Sequence, residues 1–200
     1  MFDRVALNIT KPIVDRLANR ILRAGYNADQ VTLAAFGFGM LAALLIFFGH
    51  SYVALAPLLL GRVLDGLDGA VARLTLQTDR GAFLDISLDF LYYAAVPLAF
   101  VTVDPVAAAV LLAAFIGTGT SFLAYAIIAE KRGDKSTAYP SKSFYYLGGL
   151  TEGGETIACF VLMCLWPHHF ATFAYIYAIM CCVTTATRLA AGWKAFVTKN

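Results

Sequence analysis

Charge is scarce in this 200-residue chain: Asp, Glu, Lys and Arg supply 14% of it, against about 25% in an ordinary soluble domain, which excludes a water-soluble fold of the usual kind. Apolar residues take the place of charge, at 60% of the sequence and a mean hydropathy of +0.72. Histidine is limited to His50, His168 and His169, all expected at the non-cytoplasmic ends of the spans and so away from the acidic cluster described below, which argues against histidine catalysis there. The four cysteines, Cys159, Cys164, Cys181 and Cys182, show no C-x-x-C spacing; that excludes a thiolate metal site of this kind and leaves them as small buried hydrophobes. No cleavable signal peptide is evident, so the leading segment is expected to stay in the mature protein. No basic pattern of a nucleic-acid binder is present, and no nucleic-acid partner is expected.

What is there is a series of apolar runs of about 20 residues, the length of a membrane span. They predict an all-α integral membrane protein with six transmembrane helices near 31–49, 52–76, 81–103, 106–129, 144–166 and 169–193. Loops are short and repeats are not apparent, so residues 1–200 read as one domain, with a six-helix bundle over 31–193. Ahead of it, residues 1–26 place Val5, Ile9, Ile13, Leu17 and Ile21 at helical spacing among Arg4, Lys11, Arg16, Arg20 and Arg23. This is the pattern of an amphipathic interfacial helix on an anionic leaflet. Connections 49–52, 103–105 and 166–169 contain no Lys or Arg, whereas the N-terminal segment, Arg80, the loop 131–142 and the C-terminal tail hold nearly all of them. The positive-inside rule then puts both termini, and the turn after the second span, in the cytoplasm. A bacterial inner membrane is the expected location.

Against this background, six carboxylates inside apolar spans stand out: Asp65, Asp68, Asp85, Asp89, Glu152 and Glu155. Each costs about 2.5 to 3.5 kcal/mol at bilayer depth on insertion scales, so it persists only where paired, metal-bound or facing a polar cavity. Asp65 and Asp68 are spaced i,i+3 and Asp85 and Asp89 i,i+4, which puts each pair on one helix face. In an antiparallel hairpin joined by a short turn, Asp65 lies level with Asp89 and Asp68 with Asp85. The four are therefore expected as two facing tiers, roughly 10 to 20 Å from the cytoplasmic helix ends. Arg62 and Arg73 offer a structural salt-bridge alternative, but the cluster stays net negative, and hard oxygen ligands from two helices suit Mg2+ or Mn2+.

The stretch from Asp65 to Asp89 resembles the signature of the CDP-alcohol phosphotransferase family (the CDP-alcohol phosphatidyltransferase class-I family), D-x-x-D-G-x-x-A-R followed by G-x-x-x-D-x-x-x-D. It is filled by Asp65, Asp68, Gly69, Ala72, Arg73, Gly81, Asp85 and Asp89, with seven rather than the usual eight residues between Arg73 and Gly81. The resemblance implies transfer of a substituted phosphate from a CDP-linked donor to an alcohol hydroxyl with release of CMP. It also implies two divalent ions held by Asp65, Asp68, Asp85 and Asp89, with Asp89 as general base, and a nucleotide pocket bounded by Gly69, Ala72, Arg73 and Gly81. An upstream echo of the family's P-N-x-(L/I/V)-T element, here Ala28-Asp29-Gln30-Val31-Thr32, would add Asp29 and Thr32 to that pocket; an N-cap role for Asp29 is the structural alternative. A homodimer follows from the resemblance alone.

The short chain resembles members that use CDP-diacylglycerol to make phospholipid, acting on a small polar alcohol. A soluble CDP-alcohol acting on a lipid hydroxyl would use the same residues in the same roles. Acceptor residues are expected at Lys142, Glu152, Glu155 and Arg188: the glutamates suit an ammonium head group, whereas the cations, with Lys135, suit a phosphorylated acceptor. A divalent-cation transporter also needs intramembrane carboxylates, but it would spread them along a path through repeated halves. An aspartate-rich prenyltransferase would need more helices and a second acidic motif.

Overall fold

The structure is a computed structural model that describes residues 2–133 and 149–197, the side chains of residues 2–11 excepted. Among the described residues it is all helix: α1 (Phe2–Arg23), α2 (Ala28–Phe47), α3 (Ser51–Leu74), α4 (Asp79–Ala99), α5 (Pro105–Lys131), α6 (Gly153–Leu165) and α7 (Phe170–Ala195), with 3-10 turns at Phe100–Thr102 and Pro167–His169. Local chemistry sets the boundaries. After α1 the chain turns at Gly25, whose φ of +86° is a left-handed conformation open to glycine. Asn27 then starts α2 through a reciprocal capping box, accepting from the Gln30 N–H at 2.9 Å while the Gln30 side chain accepts from the Asn27 N–H at 3.0 Å. The cap is thus Asn27, and Asp29 falls inside the first turn. Thr78 caps α4 by accepting from the Gly81 N–H at 3.0 Å, and Asp104 caps α5 ahead of Pro105.

Among the described residues, four helical stretches are long and apolar enough to cross a membrane: α2, α4 with its 3-10 extension, α5, and α7 with the turn before it. Helix α3 is long enough at 24 residues, but its second half carries Arg62, Asp65, Asp68 and Arg73. The expected span 144–166 is cut short, since residues 149–152 are not helical and α6 starts at Gly153. Residues 144–148 lie outside the described residues. The Gly153-Gly154 pair has weak helix propensity, and the Glu152 carboxylate turns back to accept from the Gly149 N–H at 3.2 Å, so the chain enters α6 through a polar bend.

Helix α2 is the organising element, packing along both α3 and α4, while α3 and α4 hardly touch each other's backbone. Small residues permit the close approach. A methyl added at Gly61 of α3 would lie 2.9 Å from the Ala35 carbonyl oxygen of α2, and one at Gly39 of α2 would lie 2.4 Å from the Tyr92 ring of α4. Beneath these contacts runs an apolar core that includes Ile46, Leu58, Val96, Leu111, Phe160 and Met163. It closes at the far end with Phe100 stacked on Phe170, ring centroids 4.5 Å apart. Leu41, Leu44, Val63, Leu91, Ile127, Ile179 and Leu189 point outward and exposed, as lipid-facing positions of membrane helices do. Cys159, Cys164 and Cys181 are buried as expected, but Cys182 is exposed, because the next residue along a helix is rotated by about 100°. Helix α1 lies against α3, with Ala18 buried on Ala70 and Val71.

Candidate metal and phosphate-transfer site

Because α2 separates α3 from α4, the carboxylates of the second half of α3 and the first half of α4 meet across a gap. One oxygen from each of Asp65, Asp68 and Asp85 lies within 4.8 Å of the others. Asp68 is the most buried of the three, at 6% exposure, and its Oδ2 accepts a 2.6 Å hydrogen bond from Thr32 Oγ1. Thr32 stands on the first turns of α2, so the same helix that spaces the other two also fixes one of their carboxylates. Three converging hard oxygens with no nitrogen or sulfur among them match the donor set preferred by Mg2+ or Mn2+.

The two tiers expected from the hairpin are present in modified form. Asp68 and Asp85 do face one another, but Asp65 joins them, and Asp89 stands outside that group. Its Oδ1 accepts from Arg62 Nη1 at 2.7 Å, and Arg62 Nη2 reaches Asp65 Oδ2 at 2.7 Å. The guanidinium is flanked by the rings of Tyr92 and Tyr93, 5.3 and 5.4 Å from their centroids. The i,i+3 relation of Arg62 to Asp65 is visible in sequence. Its bridge to Asp89, 27 residues away, and the paired tyrosines behind it are not.

The expected nucleotide-pocket residues occupy the α3–α4 turn and the start of α2. Asp29 pairs with Arg80, a partner the sequence did not suggest, and its Oδ1 would lie 3.2 Å from a methyl placed on Gly81. Arg73 is exposed in the last turn of α3, with Nη1 3.3 Å from where a side chain on Gly69 would begin. Ala72 is half-buried beside it. The seven-residue spacing between Arg73 and Gly81 is absorbed in the bend at residues 75–78, outside either helix.

The expected acceptor residues gather separately, around the start of α6 and the second half of α7. Lys142, like Lys135, lies outside the described residues. Glu152 is buried at 8% and Arg188 at 7% exposure. Arg188 Nη1 donates to the Thr118 carbonyl at 3.0 Å and its guanidinium lies over Phe122. Glu155, in the first turn of α6, has a buried Oε2 with no hydrogen-bond partner among the described residues. Around them is a hydroxyl network that the sequence did not reveal: Thr151 donates to Thr184 Oγ1 from both its N–H and its hydroxyl, at 3.2 and 3.0 Å, and Thr156 pairs with Tyr177 at 2.7 Å. The Tyr93 hydroxyl lies 3.5 Å from where a side chain on Gly153 would begin, so one tyrosine touches both the Arg62 bridge and the α6 entrance. His50, at the head of α3, is separated from Asp65 by about 20 Å of helix.

The chain and its fold have known counterparts. Residues 26–199 match the family model described as CDP-alcohol phosphatidyltransferase. The chain is 48% identical over 202 residues to the Escherichia coli (strain K12) inner membrane protein YnjF, covering 99% of this chain and 97% of that one. Solved structures of Mycobacterium tuberculosis phosphatidylinositol phosphate synthase (PgsA1) share the fold at 21% identity. The form with CDP-DAG bound aligns with a TM-score of 0.73 over 94% of this chain and 99% of its own, and the form with manganese and citrate with a TM-score of 0.72 over 94% and 93%. The chain belongs to the CDP-alcohol phosphatidyltransferase family and is a membrane-bound phosphotransferase.

Proposed function

We propose that this member of the family transfers the phosphatidyl group of CDP-diacylglycerol to the hydroxyl of a small polar alcohol, releasing CMP, as a step of phospholipid biosynthesis. The observation that carries the reading is the convergence of Asp65, Asp68 and Asp85 within 4.8 Å, with Asp89 beside them and Arg73 at the helix end. A Mg2+ or Mn2+ ion at those three carboxylates would neutralise pyrophosphate charge and stabilise the departing CMP oxygen. Thr32 holds Asp68 in place for that task. Arg73, unhindered by any side chain at Gly69, binds phosphate oxygens, while Asp29, Thr32, Ala72 and Gly81 bound the nucleotide. Asp89, with Oδ1 engaged by Arg62, uses Oδ2 to take the acceptor's hydroxyl proton. The acceptor oxygen then bonds to the phosphatidyl phosphorus as the bond to the CMP oxygen breaks.

Helices α2 to α7 serve as six spans in a bacterial inner membrane such as the name of the 48%-identical relative indicates. Helix α1 rests at the cytoplasmic surface, both termini and the site face the cytoplasm, and two chains form a homodimer. Lys142, Glu152, Glu155 and Arg188 select the acceptor.

The test is CMP release by purified protein from CDP-diacylglycerol with Mg2+ or Mn2+, against glycerol phosphate, inositol phosphate, inositol, serine, ethanolamine and choline, with Asp89→Asn as control. Release that requires one acceptor is the expected result and assigns the head group. Release only from a soluble CDP-alcohol with a lipid acceptor would reverse donor and acceptor. Full turnover by Asp89→Asn would remove Asp89 as base.

A further inference from the structure

The site contains four carboxylates and a guanidinium whose two terminal nitrogens are directed at two of them. Arg62 Nη1 lies 2.7 Å from Asp89 Oδ1 and Nη2 lies 2.7 Å from Asp65 Oδ2. These carboxylates come from different helices, so the guanidinium does what a bridging divalent cation would do, joining α3 to α4 through opposite charge. Two cations cannot share that position. The carboxylate oxygens that converge elsewhere belong to Asp65, Asp68 and Asp85; Asp89 is not among them. The site therefore offers one place for a divalent ion and one place already filled by a side chain.

Arg62 is not a surface side chain that happens to reach in. It is half-buried, with the rings of Tyr92 and Tyr93 at 5.3 and 5.4 Å, and aromatic faces favour a cation, more so where water is excluded. Tyr92 is itself locked against α2, where Gly39 leaves it room. Arginine suits the place because its planar fork reaches two carboxylates at once, which a lysine point charge does not. Charge accounting agrees. Four carboxylates with Arg62 and one divalent ion leave one negative charge, whereas a second ion added to Arg62 would leave the site positive before any substrate enters.

We infer that Arg62 occupies the second cation position of this centre, as the positioning residue of Asp89, so that the chain binds one divalent ion where two were expected from the sequence. The inference rests on the metal-dependent reading above and deepens it. Arg62 fixes which Asp89 oxygen is free for the acceptor proton and supplies permanently one positive charge where a second ion would sit.

The test is Mn2+ binding to the full-length chain in detergent, without nucleotide, with free Mn2+ read by electron paramagnetic resonance. The wild type binds one Mn2+ per chain, and Arg62→Gln, which keeps a polar side chain but loses the charge, binds two. Arg62→Lys retains a charge and stays at one. Asp89→Asn, with Arg62 in place, also stays at one, because Asp89 is not a ligand of the ion; this arm stands even where Arg62→Gln does not fold. Two Mn2+ on the wild type, loss of Mn2+ in Asp89→Asn, or a helical Arg62→Gln protein that stays at one would each overturn the assignment of Arg62. Absence of any Mn2+ binding by the wild type would instead overturn the metal-dependent reading beneath it.

Discussion

The two polar regions of the bundle are held by different physics. Around α2, α3 and α4, charge is set against charge: Arg62 spans Asp65 and Asp89, Arg80 meets Asp29, and the Asp65, Asp68 and Asp85 oxygens face one another. Around α6 and α7, by contrast, hydroxyls form much of the frame. Thr151 meets Thr184, Thr156 meets Tyr177, and Thr156 and Thr185 also donate to carbonyls one turn back, at Glu152 and Cys181. A carboxylate at bilayer depth demands a partner and so leaves a signature in sequence. A threonine can satisfy itself from its own helix, so it leaves none. The first region sets fixed charge against charge, whereas the second surrounds the buried Glu152 and Arg188 with hydroxyls.

The sharpest way to break this comparison is to remove one carboxylate from the first region. Asp85→Asn should lower turnover by about a thousandfold, about 4 kcal/mol of transition-state stabilisation, as expected for loss of a ligand to a catalytic ion. A variant within tenfold of wild type in initial CMP release would show that the three-carboxylate position does not carry the reaction. The next effect in size concerns the scaffold. Gly61→Ala puts a methyl 2.9 Å from the Ala35 carbonyl oxygen and 3.3 Å from the Gly39 nitrogen, backbone atoms that cannot swing away. We expect a destabilisation of about 1 to 3 kcal/mol, seen as a lower melting temperature in detergent; unchanged melting would mean that α2 and α3 do not approach this closely. The smallest expected effect lies in the second region. Thr184→Val keeps the volume but removes the oxygen that accepts from Thr151, a loss of about 1 kcal/mol or about fivefold. It should appear as a raised KM for the acceptor with the KM for the CDP-lipid unchanged. Equal effects on both would tie the α6–α7 network to the whole site rather than to the acceptor.

How much of this was legible in the sequence depends on the range of the interaction. Helix positions followed from apolar run length, and Asp65, Asp68, Asp85 and Asp89 from their spacing, because both are properties of one helix or of one hairpin. Helix α6 was misplaced at its start because glycine propensity and a local bend outweighed the apolar run. The partner of Asp29 was missed because Arg80 is 51 residues away. The hairpin argument paired the carboxylates in tiers but assumed that α3 and α4 pack directly.

By itself, the sequence determined that the chain is helical and lipid-embedded, and that four aspartates lie in two adjacent tiers of consecutive helices, since cost in hydrocarbon and helical period leave little else. Only the tertiary structure decided how those aspartates divide. Helix α2, admitted by Gly39 and Gly61, holds α3 and α4 apart and presents Thr32 to Asp68. In the gap that remains, three carboxylates converge and the fourth is claimed by Arg62. The division depends on where a third helix passes between the two that carry the motif, and no spacing within the motif records that.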